Sequence, residues 1–278
     1  MAKIDRLGWA DGRSFISHGV RIGLRVNDAA ILNEFLARLP PGAKPSRVRV
    51  VDHLYSLTGF TGNSNGRVRR FNLGYWNLTR FARLRTFADL LHQFESHVQL
   101  TVAEYAPRRV FVHAGVVSLN GRAILIPGAS YSGKTTLVTE LIKAGAIYYS
   151  DEYAIIDERG RVHPYPRPLG IRPASNALAE KVTAKQIGAQ IGSKPLRVGL
   201  VVSTKFKPGA RWRPKELTRG KGVLELLANT VSARTQPELA LGVLPKALES
   251  ARILKSVRGE ARDIVEAILA GRSQNREW

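Results

Sequence analysis

One octapeptide constrains this chain more than any other feature. Gly128-Ala129-Ser130-Tyr131-Ser132-Gly133-Lys134-Thr135 follows the spacing G-x-x-x-x-G-K-T. Such a run is a P-loop only when a strand enters it and a helix leaves it. Both are expected. Residues 122–127 form a short apolar run containing Ile124 and Ile126, which reads as a buried strand. Residues 134–145 put Leu137, Leu141 and Ile142 on one helical face and stop at Gly145. In such a loop glycines let backbone N–H groups turn inward, the lysine reaches the outer phosphates, and the next hydroxyl coordinates Mg²⁺. The helix N-terminus adds its dipole. Gly128 to Thr135, with Thr136, are therefore the candidate nucleotide-binding residues. ATP and Mg²⁺ are the expected ligands, with Thr135 on the metal.

A P-loop of this kind works with a carboxylate on a neighbouring strand. The later apolar run 198–204 ends in Ser203 and Thr204 and offers none. The acids come earlier. Ile147 to Ser150 read as a short strand delivering Asp151 and Glu152, and the strand resumes to Ile156. Asp151 follows Lys134 by seventeen residues, room for one helix and a turn back to the phosphate end. A solvated Ser-Asp-Glu turn is the competing reading. Upstream, Val110 and Val112 alternate as a strand that places His113 and Gly115 at its end. A hairpin signal follows at Leu119-Asn120-Gly121.

Taken together, His113, the Gly128–Thr135 loop, the "LIKAG" helix end and Asp151-Glu152 resemble the HPr kinase/phosphorylase family in order and spacing. The P-loop alone also resembles the related ATP-dependent phosphoenolpyruvate carboxykinase fold. The resemblance covers residues 110–172. It implies an α/β, mixed α+β, P-loop kinase domain. It also implies transfer of the γ-phosphoryl group to a protein serine, and an oligomer assembled through the kinase domains. By the same resemblance Asp151 takes the hydroxyl proton and Lys134 holds the β- and γ-phosphates. Thr135, Asp151 and Glu152 hold the metal, and His113 contacts the phosphoryl group or orients the base. Two departures matter. Glu152 stands where the family has a second aspartate. In 165–172, Tyr165 and Pro168 replace the family's glutamate and a glycine, while Arg167, Leu169, Gly170 and Ile171 are kept. That segment serves the reverse reaction in the family, so kinase activity is expected rather than phosphorylase activity.

The rest of the chain bounds these expectations. Residues 1–107 read as an α+β region of unknown role, 108–271 as the P-loop domain and 272–278 as a frayed tail. Strands are expected at 20–26 and from Ser46 through Val48 and Val50, helices at 28–40 (Asp28 as N-cap) and 84–106, and a loop at 61–70. His92 and His97 lack metal-ligand spacing and suit a packing role. Further on, helices are expected at 175–192, 216–233, 237–250 and 260–271, and strands at 196–206 and 251–259, with Gly242 and Pro245 weakening the third helix. Arg258 could reach a phosphate or pair with Glu260, and Arg167 and Arg172 are similarly open. There are no cysteines, which removes disulfides and thiolate metal sites. No apolar run of spanning length and no signal peptide is read, so no membrane partner and a cytoplasmic location are expected. The formal charge of +21 suits anionic partners, an acidic protein or peptide substrate among them. No zinc-finger or helix-turn-helix signature accompanies the basic runs, so nucleic acid is not expected as a partner. The leading functional reading is an ATP-dependent kinase acting on a protein or peptide hydroxyl. A small-molecule kinase and a non-catalytic nucleotide-binding scaffold are the alternatives.

Overall fold

The hydrophobic pattern builds two sheets in separate parts of the chain. The computed structural model describes residues 3–60, 70–129, 132–171 and 180–270. It divides into two compact units, Met1–Pro107 and Arg108–Trp278. The expected loop at 61–69, Ser130 and Tyr131 of the P-loop, Arg172, the start of the 175–192 segment and the tail lie outside the described residues.

In the first unit, β1 (Asp11–Ser17) and β2 (Val20–Val26) form a hairpin whose two turn residues, His18 and Gly19, both have positive φ. The other strands are β3 (Lys44–Ser46), β4 (His53–Thr58), β5 (Asn72–Trp76) and β6 (Thr79–Leu84), in the order β3-β1-β2-β4-β5-β6. Asp28 accepts from the Ala30 N–H at 2.9 Å and caps a 3-10 turn leading into α1 (Leu32–Leu36). Thr86 caps α2 (Phe87–Tyr105) by accepting from the Asp89 N–H. Phe35, Tyr55 and Phe94 meet edge to face in the core. His97 has the expected packing role, its Nδ1 lying 2.8 Å from the Tyr55 hydroxyl. The strand expected from Ser46 is displaced. Ser46 Oγ accepts the Val48 N–H, a local bond that turns the chain, and pairing resumes only at His53.

In the second unit, β7 (Arg109–Leu119) and β8 (Arg122–Pro127) join through Asn120 and Gly121, both at positive φ. Then follow α3 (Lys134–Lys143), β9 (Ile147–Ser150), β10 (Tyr153–Asp157), β11 (Val162–His163), β12 (Leu169–Ile171) and β13 (Glu180–Val182). The chain continues through β14 (Val198–Phe206), β15 (Lys215–Glu216), α4 (Arg219–Leu227), α5 (Pro237–Ala247), β16 (Arg252–Arg258) and α6 (Ala261–Ala270). The sheet order is β11-β10-β7-β8-β14-β16-β15, with β9 also on β7. β8, β14 and β16 are parallel, while β7 is antiparallel to β8, β9 and β10. The result is a mixed α/β fold. Alternation along β8 sends Ala123 and Leu125 to a core with α4 and α5, and Ile124 and Ile126 to a core with α3 and α6. Each face of the sheet is thus sealed by helices.

Two expectations are corrected here. The segment 175–192 is not a helix in its described part. Glu180–Val182 is a strand paired with β12 and Lys185–Ile187 a single 3-10 turn. Thr183 and Gln186 bond each other's side chains and backbone, and Gly188 at φ 67 ends the turn, so no apolar helical stripe develops. His113 and Gly115 are inside β7 rather than at its end. The alternation of Val110, Val112, Ala114 and Val116 into one core runs unbroken past both.

Candidate functional site

The strand and the helix expected on either side of the glycine-rich run are both present. β8 ends at Pro127, and α3 begins at Lys134 behind Gly133 as N-cap at φ 85, a conformation that favours glycine. A Cβ at Gly128 would lie 2.7 Å from Ser132 Oγ, so the loop can close only around glycine there. A Cβ at Gly115 would lie 2.5 Å from Val138 Cγ2, so this glycine lets α3 lie close against β7. The Lys134 ammonium donates to the carbonyls of Gly128 and Ala129, each at 2.7 Å. Burial lowers its pKa, while Asp151 and Glu152 raise it. Thr136 is exposed on the first turn of α3.

β7 brings the remaining groups to the loop. Its first half pairs with β10 and its second half with β8 and β9. At the crossover, the Gly128 N–H donates to the His113 carbonyl at 3.1 Å, and the Ala114 N–H donates to the Glu152 carbonyl at 3.2 Å. Asp151 and Glu152 occupy the two-residue break between β9 and β10. Ser150 shapes that break, its hydroxyl accepting from the N–H groups of Glu152 and Tyr153. In the sequence Ser150 reads only as the end of the short strand and the first residue of a competing turn, with no role for its hydroxyl.

Asp151 turns in against Thr135 rather than into solvent, while Glu152 stays more open. The Thr135 hydroxyl donates to Asp151 Oδ2 at 2.8 Å. Asp151 Oδ1 is buried with no partner. Burial pushes the Asp151 pKa up to about 6, with Glu152 adding to the rise and Thr135, Lys134 and the Gly170 backbone opposing it. Glu152 is more open, with Oε1 3.9 Å from His113 Nδ1. His113 stacks obliquely on Tyr153 at 4.7 Å between ring centres. Burial lowers its pKa against the raising effect of Glu152, and Lys134 lowers it further. The imidazole is therefore neutral at pH 7.

Other candidates sort differently. Ser203 donates to Glu225 at 2.7 Å, whereas the Thr204 hydroxyl is buried without a partner. The Arg167 carbonyl accepts from the Tyr148 hydroxyl at 2.7 Å. Arg258 donates to the Gly133 carbonyl and not to Glu260. Among the described residues, no cluster of three or more His, Cys, Asp or Glu side chains forms a metal cage. No helix among the described residues is long and apolar enough to cross a membrane.

No family model matches the chain, and no curated protein matches it. Among solved structures the chain is similar to the Hpr(Ser) kinase/phosphatase from Coxiella burnetii, at 15% identity and a TM-score of 0.34, over 59% of this chain and 95% of that one. At that score the likeness carries no weight for fold or activity, and the functional reading rests on the site's own geometry.

Proposed function

We propose that this chain is an ATP- and Mg²⁺-dependent phosphotransferase that moves the γ-phosphoryl group to a hydroxyl of a protein or peptide. The observation that carries the reading is the Thr135–Asp151 hydrogen bond, with Asp151 Oδ1 buried and unpartnered beside it. A P-loop hydroxyl held against a carboxylate is a pair of hard oxygen donors, the kind Mg²⁺ takes together with phosphate and water. Thr135 Oγ1 and Asp151 Oδ2 would hold the ion, with Glu152 as a further carboxylate. When bound, the ion neutralises charge on the phosphate oxygens.

The chain's own groups supply the rest. Lys134 exchanges the carbonyls of Gly128 and Ala129 for phosphate oxygens, and Gly128 and Gly133 let the loop backbone close around them. Asp151 Oδ1 takes the acceptor's proton as the acceptor oxygen bonds to phosphorus. The bond to the bridging oxygen breaks and ADP leaves with that electron pair. Burial raises the Asp151 pKa to about 6 in the metal-free site, and a bound cation would lower it again, so the carboxylate is ionised and able to accept a proton at pH 7. His113, neutral, orients the acceptor by hydrogen bonding, with the Glu152 carboxylate 3.9 Å from its Nδ1. The net charge of +21 favours an acidic acceptor.

Calorimetric titration with ATP, with and without Mg²⁺, tests the binding. Label transfer from γ-labelled ATP to acidic serine- and threonine-containing peptides tests the chemistry. Lys134→Ala should abolish transfer and weaken ATP binding, because no other cation of the described loop residues can replace its point charge. Unchanged affinity in that variant would remove the loop as the phosphate site. Turnover with small hydroxyl metabolites alone would move the assignment to a small-molecule kinase.

A further inference from the structure

Arg258 is the only Lys, Arg, Asp or Glu that is buried among the described residues, at 2% exposure. It closes β16, and the parallel register sets it beside Phe206 at the end of β14, the strand next to β8. From there it touches the P-loop. Nη2 donates to the Gly133 carbonyl at 2.8 Å, and Nη1 donates to the Gly259 carbonyl at 3.0 Å. The guanidinium carbon lies 5.5 Å from the centre of the Phe206 ring. Gly133 makes room for it, since a Cβ there would sit 2.3 Å from Nη2.

What Arg258 lacks is an anion. No carboxylate pairs with it among the described residues, and Nε is buried with no acceptor. Two neutral carbonyls are its only bonded partners; Glu260 acts on the charge from a distance without bonding to it, and burial still outweighs that attraction. Surface arginines of this basic chain need no such explanation, because water solvates them. A buried one that touches a phosphate loop does.

We propose that the missing counter-charge is the phosphate chain of a bound nucleotide, which makes Arg258 a phosphate-binding residue supplied from the last strand of the sheet. The assignment rests on the P-loop reading above. It extends the site beyond the loop, α3 and the acidic pair to the opposite side of β8. Gly133 then serves twice, turning the backbone and admitting the guanidinium to the loop.

The test measures affinities for ATP, ADP and inorganic phosphate, and the melting temperature without nucleotide, in wild-type, Arg258→Met and Arg258→Lys. Arg258→Met should weaken ATP binding on the order of 10- to 100-fold, the range of a lost charge-assisted hydrogen bond. It should leave the nucleotide-free melting temperature at or above that of wild-type, because a buried unpaired charge has gone. Arg258→Lys keeps the charge but not the fork and should lose several-fold. A merely structural strut predicts the reverse pattern: Arg258→Met melting lower with ATP affinity intact, which would overturn the proposal. Should Arg258→Met fail to fold, wild-type ATP affinity in Arg258→Lys overturns it instead. A loss confined to inorganic phosphate, with ATP unaffected, would also overturn it in favour of a free-anion site. If wild-type itself binds no ATP, the P-loop reading falls and takes this one with it. If wild-type binds and Arg258→Met binds equally, only this one falls.

Discussion

Asp151→Asn should stabilise the nucleotide-free protein while removing its activity. Burial lifts the Asp151 pKa from 3.8 to about 6. Such a rise weighs roughly 3 kcal/mol against the folded state once the group is ionised. The sign follows from proton binding. The folded state holds this proton more tightly than the unfolded chain does, so the stability it contributes is whole below pH 3.8 and is lost as pH rises through about 6. Asparagine carries no charge to desolvate and regains most of that loss at pH 7.5. It can still accept from the Thr135 hydroxyl, but it puts an unpartnered NH₂ where Oδ1 is buried, which offsets about 1 kcal/mol. The net gain is about 2 kcal/mol, or roughly 4–8 °C in melting temperature for a unit of this size. Near pH 4 the gain should vanish. Differential scanning calorimetry in EDTA at both pH values reads this from the transition that Mg²⁺ and ATP shift upward in wild-type. Turnover should fall on the order of 10²–10⁴-fold. A variant that melts below wild-type at pH 7.5, or by the same margin at both pH values, would refute the account of Asp151 as a carboxylate strained by burial.

Two further outcomes are expected. Glu152→Gln should lower the rate by less than about tenfold and weaken Mg²⁺-dependent ATP binding only several-fold, since Glu152 is the more open of the two carboxylates; pure rate loss as large as that of Asp151→Asn would hand the base role to Glu152. Gly115→Ala should cost about 1–3 kcal/mol, because the new methyl meets Val138 Cγ2 and displaces α3; an unshifted thermal transition would show that the contact yields freely.

The strand, loop and helix around Gly128 were legible because every signal there is local: β-branched residues before the loop, glycines within it, a helical stripe after it. The return of Asp151 was legible from spacing alone, since one helix and one turn fill the gap to Lys134. Local signals misled where nearby side chains won the backbone, as at Ser46 and at Thr183 and Gln186 in the segment read as a helix over 175–192. His113 was misplaced at a strand end because β7 changes partners without breaking its alternation. Arg258 was legible as a candidate phosphate contact or a partner of Glu260, but its bond to Gly133 was not. Its place beside Gly133 depends on the register of β16 against β14, a pairing of residues about fifty positions apart, and on β14 lying next to β8.

The two bonds that hang from β7, Gly128 N–H on His113 and Ala114 N–H on Glu152, attach the phosphate side and the acidic side to adjacent residues of one strand. The hairpin is therefore tolerant of length change at one end and intolerant at the other. Residues added at Asn120-Gly121 would only enlarge an exposed turn. A single residue inserted between His113 and Ala114 would reverse the facing of every side chain beyond it and slide the loop away from the carboxylates. In descendants of this chain, insertions and deletions can accumulate at the hairpin tip, while the spacing along 113–114 stays fixed for as long as the site is used.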